Sequence, residues 1–144
     1  MQDKTILVVE DNPDHLELTL LTLESNRVAN RIVVARDGVQ ALDYLFGTGD
    51  HLGRDTTVQP EVILLDLKLP RISGAEVLQR VRADPRTRLI PVVILTSSSE
   101  EEDIMASYKG GANSFVRKPI DFQQFSERLQ SLQMYWLLVN APPP

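Results

Sequence analysis

Polar residues suited to phosphoryl chemistry follow four of the short apolar runs in this chain. Glu10 and Asp11 come directly after the first run, Asp66 after the third, Thr96 after the fourth and Lys118 after the fifth. In open parallel sheets, ligands bind beyond the carboxyl ends of the strands, so we expect these side chains to converge. Converging carboxylates repel one another unless a cation lies between them, and a hard, oxygen-ligated ion, Mg²⁺ or Mn²⁺, meets that need.

The same residues suit an aspartyl-phosphate mechanism. Asp66 could attack a phosphoryl group to form an acyl phosphate, which splits the transfer into two steps. The metal would hold one equatorial phosphoryl oxygen, the Thr96 hydroxyl a second and the Lys118 ammonium a third. Taken alone, each residue also has a structural interpretation, since an acidic or hydroxyl residue after a strand often caps a helix, and a lysine beside a proline turn is often solvated. Their joint placement at strand ends favours the site.

Alternating strand-like and helix-like segments predict the fold that would position these residues. Apolar runs indicate strands at 5–9, 31–34, 61–65, 92–95 and 114–116. Helix-like segments follow them at about 13–25, 38–46, 74–83, 99–109 and 121–138. This alternation predicts right-handed crossovers and a doubly wound (βα)₅ α/β sandwich of flavodoxin-like type, with a central five-stranded parallel sheet in the order 2-1-3-4-5.

The bulk composition suits one domain in the cytoplasm. The chain has 144 residues, of which 42% are hydrophobic and 24% charged, which fits a globular domain with one substantial core. A net charge of −5 argues against a nucleic-acid or anionic-membrane surface. There is no cysteine, which excludes disulfides, zinc thiolate sites and cysteine nucleophiles. No stretch approaches membrane-spanning length.

Four ordered motifs resemble the receiver domain of two-component response regulators. The matching stretches are ILVVEDNP (6–13), VILLDLKLP (62–70) followed by Gly74, PVVILTS (91–97) and GANSFVRKP (111–119). The resemblance covers nearly the whole chain, from 6 to 132. It implies a receiver domain over 3–132, an apolar extension over 133–144 and no output domain.

The resemblance also implies the metal site. Asp66 would be the phosphoacceptor and, with Glu10 and Asp11, would bind Mg²⁺, with Mn²⁺ as a plausible substitute. The backbone carbonyl of Lys68 would be a further ligand. Glu10 stands where aspartate is commoner, and its longer side chain could reach the metal through a water molecule.

A conformational switch is the third implication of the resemblance. Thr96 would be the switch hydroxyl, Phe115 the switch aromatic and Lys118 the phosphate-sensing lysine, with a cis bond before Pro119 as an option. On phosphorylation Thr96 would move toward the phosphoryl group, Phe115 would fill the vacated space, and the surface of the last two helices and the last strand would change. Phe115 lacks the hydroxyl of the tyrosine often found there, so packing alone would drive its movement; its other interpretation is an ordinary core phenylalanine.

Two segments resemble the single-domain subgroup that partners bacterial phytochromes. They are 82–91, RADPRTRLIP, and 135–144, YWLLVNAPPP. The expected partners are therefore a histidine kinase, of phytochrome type, and a downstream protein target, with signalling by altered protein contacts. A relay role, in which the phosphoryl group passes to a histidine phosphotransfer protein, stays open.

The last helix carries an apolar seam that continues past the expected domain boundary. Its members recur in steps of three and four: Phe122, Phe125, Leu129, Leu132, Trp136 and Val139. Up to Leu132 the seam is expected to pack in the core. Beyond it, 134–139 is apolar nearly all round, which one domain face cannot easily bury. This predicts a homodimer with contacts from Tyr135, Trp136, Leu137 and Leu138.

Two other classes of protein are alternatives to a signalling module. A small aspartate-nucleophile phosphatase would also use aspartate and Mg²⁺. Such a phosphatase has its nucleophile in an Asp-x-Asp motif after the first strand, whereas this chain has Glu10-Asp11-Asn12 there. A flavin or nucleotide site is disfavoured by that acidic turn and by the absence of GxGxxG and GxxxxGK[ST].

The long turn-rich segment 47–59 is either functional or a tolerated surface insertion. His15, His51 and Tyr44 carry no legible function.

Overall fold

The fold is a five-stranded parallel sheet with helices on both faces, described by a computed structural model over residues 4–25, 30–98, 100–118 and 121–143. The strand order is β2-β1-β3-β4-β5, so the predicted fold class and order are confirmed. In chain order the elements are β1 Lys4–Val9, α1 Pro13–Ser25, β2 Asn30–Ala35, α2 Gly38–Phe46, β3 Val62–Leu65, α3 Gly74–Ala83, β4 Val92–Thr96, α4 Glu101–Lys109, β5 Ser114–Arg117 and α5 Phe122–Met134. A π-helical turn, Tyr135–Val139, follows α5.

Alternation along the central strands divides the core into two layers. On β1, Leu7 and Val9 join a buried cluster with side chains of α2 and α3, whereas Ile6 and Val8 join a second cluster with α1 and α5. All four residues are nearly or fully buried. A strand whose residues are apolar on both faces can be stable only between two helical layers, which is why the central strands are continuously apolar.

Local caps explain why the first three helices begin where predicted. The Asn12 side chain accepts the backbone N–H groups of Asp14 and His15, at 2.9 and 3.1 Å, ahead of Pro13 in the first turn. Asp37 caps α2, and Ser73 caps α3. The fourth helix begins at Glu101 rather than 99, and residue 99 lies outside the described residues.

Arg54 organises the long segment between α2 and β3. Its guanidinium donates to the backbone carbonyls of Tyr44, Leu45 and Val58, and it stacks 4.1 Å from the centroid of the Tyr44 ring. The bonds to Tyr44 and Leu45 satisfy carbonyls near the end of α2 that have no helical partner. The segment 47–59 is therefore folded onto α2, and Tyr44, for which the sequence indicated no function, has a structural one.

The residues after α5 belong in part to the core. Leu137 is fully buried in the cluster between the sheet, α1 and α5, and its carbonyl accepts a hydrogen bond from the Lys4 ammonium. The prediction that Leu137 is a dimer contact is therefore wrong for this conformation, because its side chain has no exposed surface. Tyr135 is 48% exposed and Trp136 is half-buried, so both stay available, while the side chain of Leu138 lies outside the described residues.

The burial of Gln133 and Leu137 also shows that the boundary expected at 132/133 is not a structural break. The core interpretation of the seam is confirmed for Phe125 and Leu129, which are buried, and Leu132 packs against them. The side chains of Phe122 and Val139 lie outside the described residues. Within the described part of the chain, no helix is long and apolar enough to cross a bilayer.

Candidate metal and phosphoryl-acceptor site

Backbone hydrogen bonds just past the strand ends bring the predicted site residues to one edge of the sheet. The Glu10 N–H donates to the Ala35 carbonyl at 3.0 Å, and the Asp66 N–H donates to the Val9 carbonyl at 3.1 Å. The Lys118 N–H donates to the Thr96 carbonyl at 2.7 Å. Each residue thus continues the ladder of its strand by one step, so its side chain starts from the carboxyl edge.

Three carboxylates meet at this edge. Glu10, Asp11 and Asp66 each offer an oxygen atom, and these atoms lie within 4.8 Å of one another. Hard divalent cations prefer carboxylate oxygens, and a small octahedral ion takes one or two carboxylates and completes its shell with water and other oxygens. The donor set therefore fits Mg²⁺ or Mn²⁺. Lys68 is placed beside it, since its N–H donates to Asp66 Oδ1 at 3.3 Å.

A buried lysine balances the charge of this cluster. The Lys118 ammonium donates to Glu10 Oε1 and to Asp66 Oδ2, the latter at 3.2 Å, and its side chain is only 5% exposed. A buried ammonium is costly unless it is paired and hydrogen-bonded, and the two carboxylates meet that requirement. Lys118 therefore neutralises part of the negative charge that the strand ends collect.

Burial is the main influence on the ionisation of Glu10. It raises the pKa of Glu10 to about 7, with the hydrogen bond and charge of Lys118 acting in the opposite direction and the Asp66 charge raising it further. Desolvation disfavours the charged carboxylate, and this effect outweighs the attraction of the ammonium. Glu10 is therefore harder to ionise than an exposed glutamate.

His15 is a site residue that sequence reasoning missed. Its Nδ1 atom lies 3.2 Å from Lys118 Nζ and 3.8 Å from Glu10 Oε1. Burial and the neighbouring Lys118 charge lower the pKa of His15. A signal was present in its position in the first turn of α1, four residues after Asp11, because helical side chains point back toward the helix N-terminus.

The two predicted switch residues lie on the neighbouring strands β4 and β5. Thr96 is buried at the end of β4, and its hydroxyl accepts the Ser98 N–H at 3.4 Å. Ser98 in turn donates to Asp103 Oδ2 of α4 at 2.5 Å. Phe115, on β5, packs partly buried against the cluster that faces α2 and α3. The bond before Pro119 lies outside the described residues.

Gly74 allows α3 to start directly against the backbone of the Asp66 segment. Its N–H donates to the Leu67 carbonyl at 2.9 Å. A Cβ atom at this position would lie 2.1 Å from the Asp66 carbonyl oxygen and 2.7 Å from Leu67 Cα. Only glycine accommodates this approach, which fixes the position of the turn that carries Asp66.

A parallel sheet of order 2-1-3-4-5, with a carboxylate trio and a buried lysine at its carboxyl edge, has the architecture of a phosphoacceptor signalling domain. Residues 6–130 match the family described as the response regulator receiver domain. The chain therefore belongs to this family. That result confirms the resemblance found in the four sequence motifs.

Two similar proteins of known sequence come from different organisms. FilR2 of Methanothrix harundinacea, named a probable methanogenesis regulatory protein, is 38% identical over 138 residues, covering 96% of this chain and 86% of its own. The response regulator Rcp1 of Synechocystis is 33% identical over 134 residues, covering 93% of this chain and 89% of its own. Both alignments span most of each chain, so the relationship extends over the whole domain.

Solved structures point to phytochrome-associated response regulators. The phosphorylated cyanobacterial phytochrome response regulator RcpA superposes with a TM-score of 0.92 at 34% identity, over 99% of this chain and 100% of its own. The Mn²⁺-bound form of Rcp1 gives 0.90 at 32% identity, over 98% and 99%. The bacteriophytochrome response regulator AtBRR gives 0.77 at 52% identity, over 98% and 100%. The chain is thus related to single-domain regulators of this kind.

Proposed function

We propose that the protein is a response regulator that accepts a phosphoryl group on Asp66 from a histidine kinase. The observation that carries the proposal is the convergence of Glu10, Asp11 and the buried Lys118 on the Asp66 carboxylate. A pure binding module has no need to collect three carboxylates and a desolvated ammonium at one sheet edge, because that arrangement is electrostatically costly. Such costs are typical of sites that do chemistry.

Each residue has a part in the proposed transfer. An Asp66 oxygen attacks the phosphorus, the bond from phosphorus to the donor's imidazole nitrogen breaks, and the product is an acyl phosphate. Mg²⁺ or Mn²⁺, held by Glu10, Asp11, Asp66 and the Lys68 carbonyl, would neutralise charge on the phosphoryl oxygens. Lys118 lies 3.2 Å from Asp66 Oδ2 and is close enough to pair with a second phosphoryl oxygen.

The proposed output is a change in protein contacts around α4. Among its described residues, α4 buries only Ser107, so this helix is weakly attached to the core. Its link to the site runs through Ser98, which contacts both the Thr96 hydroxyl and the Asp103 carboxylate. A Thr96 side chain that moves toward a phosphoryl group would release the Ser98 N–H and disturb this link. Phe115 would then repack into the space that Thr96 leaves.

A kinase of phytochrome type is the partner that we propose. The support is that RcpA, Rcp1 and AtBRR, which superpose over nearly the whole chain, include regulators described as phytochrome or bacteriophytochrome response regulators. FilR2 shows that a relative of similar identity is named for another process. A relay to a histidine phosphotransfer protein is the second candidate, because it would use the same acyl phosphate.

Intact-mass spectrometry after incubation with acetyl phosphate tests the phosphoacceptor. We expect one phosphoryl adduct in the presence of Mg²⁺, none after the metal is chelated, and none in Asp66→Asn, because the amide oxygen is a poor nucleophile. The adduct should be labile to hydroxylamine, as an acyl phosphate is. Asp50→Asn, which alters an exposed carboxylate on the 47–59 segment outside the cluster, is the matched control and should keep the adduct. An adduct that persists in Asp66→Asn would rule out the assignment.

A homodimer through the residues after α5 is a further part of the proposal. Tyr135 and Trp136 pack edge to face, with centroids 5.0 Å apart, and line one end of a groove between β5 and α5. Tyr135→Glu should lower the mass measured by light scattering from dimer to monomer, because it places a charge in an apolar contact. Leu52→Glu, at an 83% exposed site on the 47–59 segment, should leave the mass unchanged. A wild-type protein that is monomeric with and without phosphorylation would refute this part.

A further inference from the structure

Three acceptors surround the Lys118 ammonium. A lysine ammonium has three N–H donors and no acceptor. In the described part of the chain its partners are Glu10 Oε1, Asp66 Oδ2 at 3.2 Å and His15 Nδ1 at 3.2 Å. Each donor can therefore be matched by one acceptor, which is the condition for burying a charged group at an acceptable cost.

The contact determines the tautomer of His15. Because the ammonium can only donate, a hydrogen bond between the two groups requires a lone pair on Nδ1, which places the proton of the neutral imidazole on Nε2. The ring is placed by the backbone of α1, where the His15 N–H donates to Asn12 Oδ1 at 3.1 Å and the His15 carbonyl accepts from Thr19 Oγ1 at 2.8 Å. The hydrogen-bond acceptor, His15 Nδ1, is thus held by a helix rather than by a loop.

His15 differs from the other two acceptors in charge. Glu10 and Asp66 belong to the carboxylate cluster that would share its oxygens with a metal ion. When those oxygens are drawn to the metal, the ammonium loses part of its two charged contacts. The imidazole of His15 is neutral, so it is not drawn to the metal by a negative charge. It also does not neutralise the lysine ammonium, whose positive charge stays available to a phosphoryl oxygen.

We propose that His15 is a positioning residue, whose imidazole holds the Lys118 ammonium at the acceptor carboxylate while the carboxylates are engaged by the metal. The proposal deepens the phosphoacceptor function and rests on it. It assigns His15 no contact with the reacting atoms. The requirement is for an acceptor at this place, so a side chain that retains an acceptor should replace His15, and one of similar size without an acceptor should not.

Two variants and a control separate the acceptor from its bulk. His15→Gln keeps an oxygen acceptor, and His15→Leu keeps comparable volume without one. His51→Leu is the control, because His51, on the 47–59 segment, packs edge to face with Tyr44 of α2 and has no contact with Lys118 among the described residues. The side chain of His15 is 40% exposed, so we expect all three variants to fold.

The first readout is a ¹H–¹⁵N spectrum of the lysine ammonium groups at saturating Mg²⁺. A buried, fully hydrogen-bonded ammonium exchanges slowly with water, so wild type, His15→Gln and His51→Leu should give a Lys118 signal that His15→Leu has lost. The second is the rate of adduct formation with acetyl phosphate and Mg²⁺. We expect a loss of roughly tenfold or more in His15→Leu, in line with one hydrogen bond to a charged group, and partial or full rescue in His15→Gln.

The possible outcomes distinguish the positioning role of His15 from the phosphoacceptor function of Asp66. If wild type forms no adduct, the phosphoacceptor function fails, and with it the positioning role. If wild type is phosphorylated and His15→Leu matches it in both readouts, the positioning role is overturned and the function stands. If His15→Gln behaves like His15→Leu, the acceptor is not what matters, and the proposal is equally overturned.

Discussion

Replacing Lys118 with methionine is expected to tighten Mg²⁺ binding and to slow phosphorylation of Asp66 in the same protein. The ammonium contacts Glu10 and lies 3.2 Å from Asp66 Oδ2, so it competes with a metal ion for two of the three clustered carboxylates. Without it, the carboxylates repel one another, and a divalent cation relieves that repulsion. The lost ammonium can no longer pair with a phosphoryl oxygen.

The expected magnitudes follow from the strength of charged hydrogen bonds. Mg²⁺ affinity, measured by calorimetry, should rise by about tenfold or more, and the rate of adduct formation should fall between about tenfold and a hundredfold. Lys109→Met is the matched control, since Lys109 has an exposed side chain in the last turn of α4 and no part in the site. A Lys118→Met protein with weaker Mg²⁺ binding would show that the ammonium supports the metal site instead of competing with it.

Replacing Gly74 with alanine is expected to damage both the fold and the site. The added Cβ would lie 2.1 Å from the Asp66 carbonyl oxygen, and a backbone atom of a strand end cannot move aside as a flexible side chain can. Overpacking of this kind costs on the order of 3 kcal/mol in the free energy of unfolding. For a domain of this size, that corresponds to a decrease of about 10 °C in Tm. Any displacement that relieves the clash also moves Asp66.

Urea unfolding and Mg²⁺ titration together measure this effect. Gly110→Ala is the control, because a Cβ there would come no closer than 3.1 Å to Leu78 Cδ2, the end of a flexible side chain, and 3.2 Å to the Ala106 carbonyl oxygen, and its φ of −74° suits alanine. We expect Gly110→Ala to change stability by no more than about 1 kcal/mol. A Gly74→Ala protein as stable as wild type would mean that α3 can withdraw from the strand end at little cost.

Most of the fold could be predicted from the sequence because its determinants are local. Alternating apolar runs and caps such as Asn12, Asp37 and Ser73 lie within a few residues of the elements that they define. The carboxylate trio could be predicted for a related reason. Strand-end positions map to one edge of a parallel sheet whatever the details of packing.

The errors concern residues whose role depends on how distant elements pack. The contact between His15 and Lys118 joins residues 103 positions apart and requires a particular placement of α1 over the sheet edge. Leu137 lies in a segment that is apolar nearly all round, so its pattern does not indicate which side chain turns inward. The sequence gives no sign that Arg54 differs from an ordinary loop arginine, because its role depends on the end of α2 packing beside it.

The position of Leu137 has a consequence for folding during synthesis. Domains generally fold as units during synthesis. Here the Leu137 side chain, near the end of the described chain, completes the layer between the sheet, α1 and α5. The backbone carbonyl of Leu137 accepts a hydrogen bond from Lys4 of the first strand. A nascent chain that displays every residue of the phosphoacceptor site, up to Lys118, still lacks α5 and Leu137, which cover that layer. The site residues are therefore all synthesised before the core that holds them in place can close.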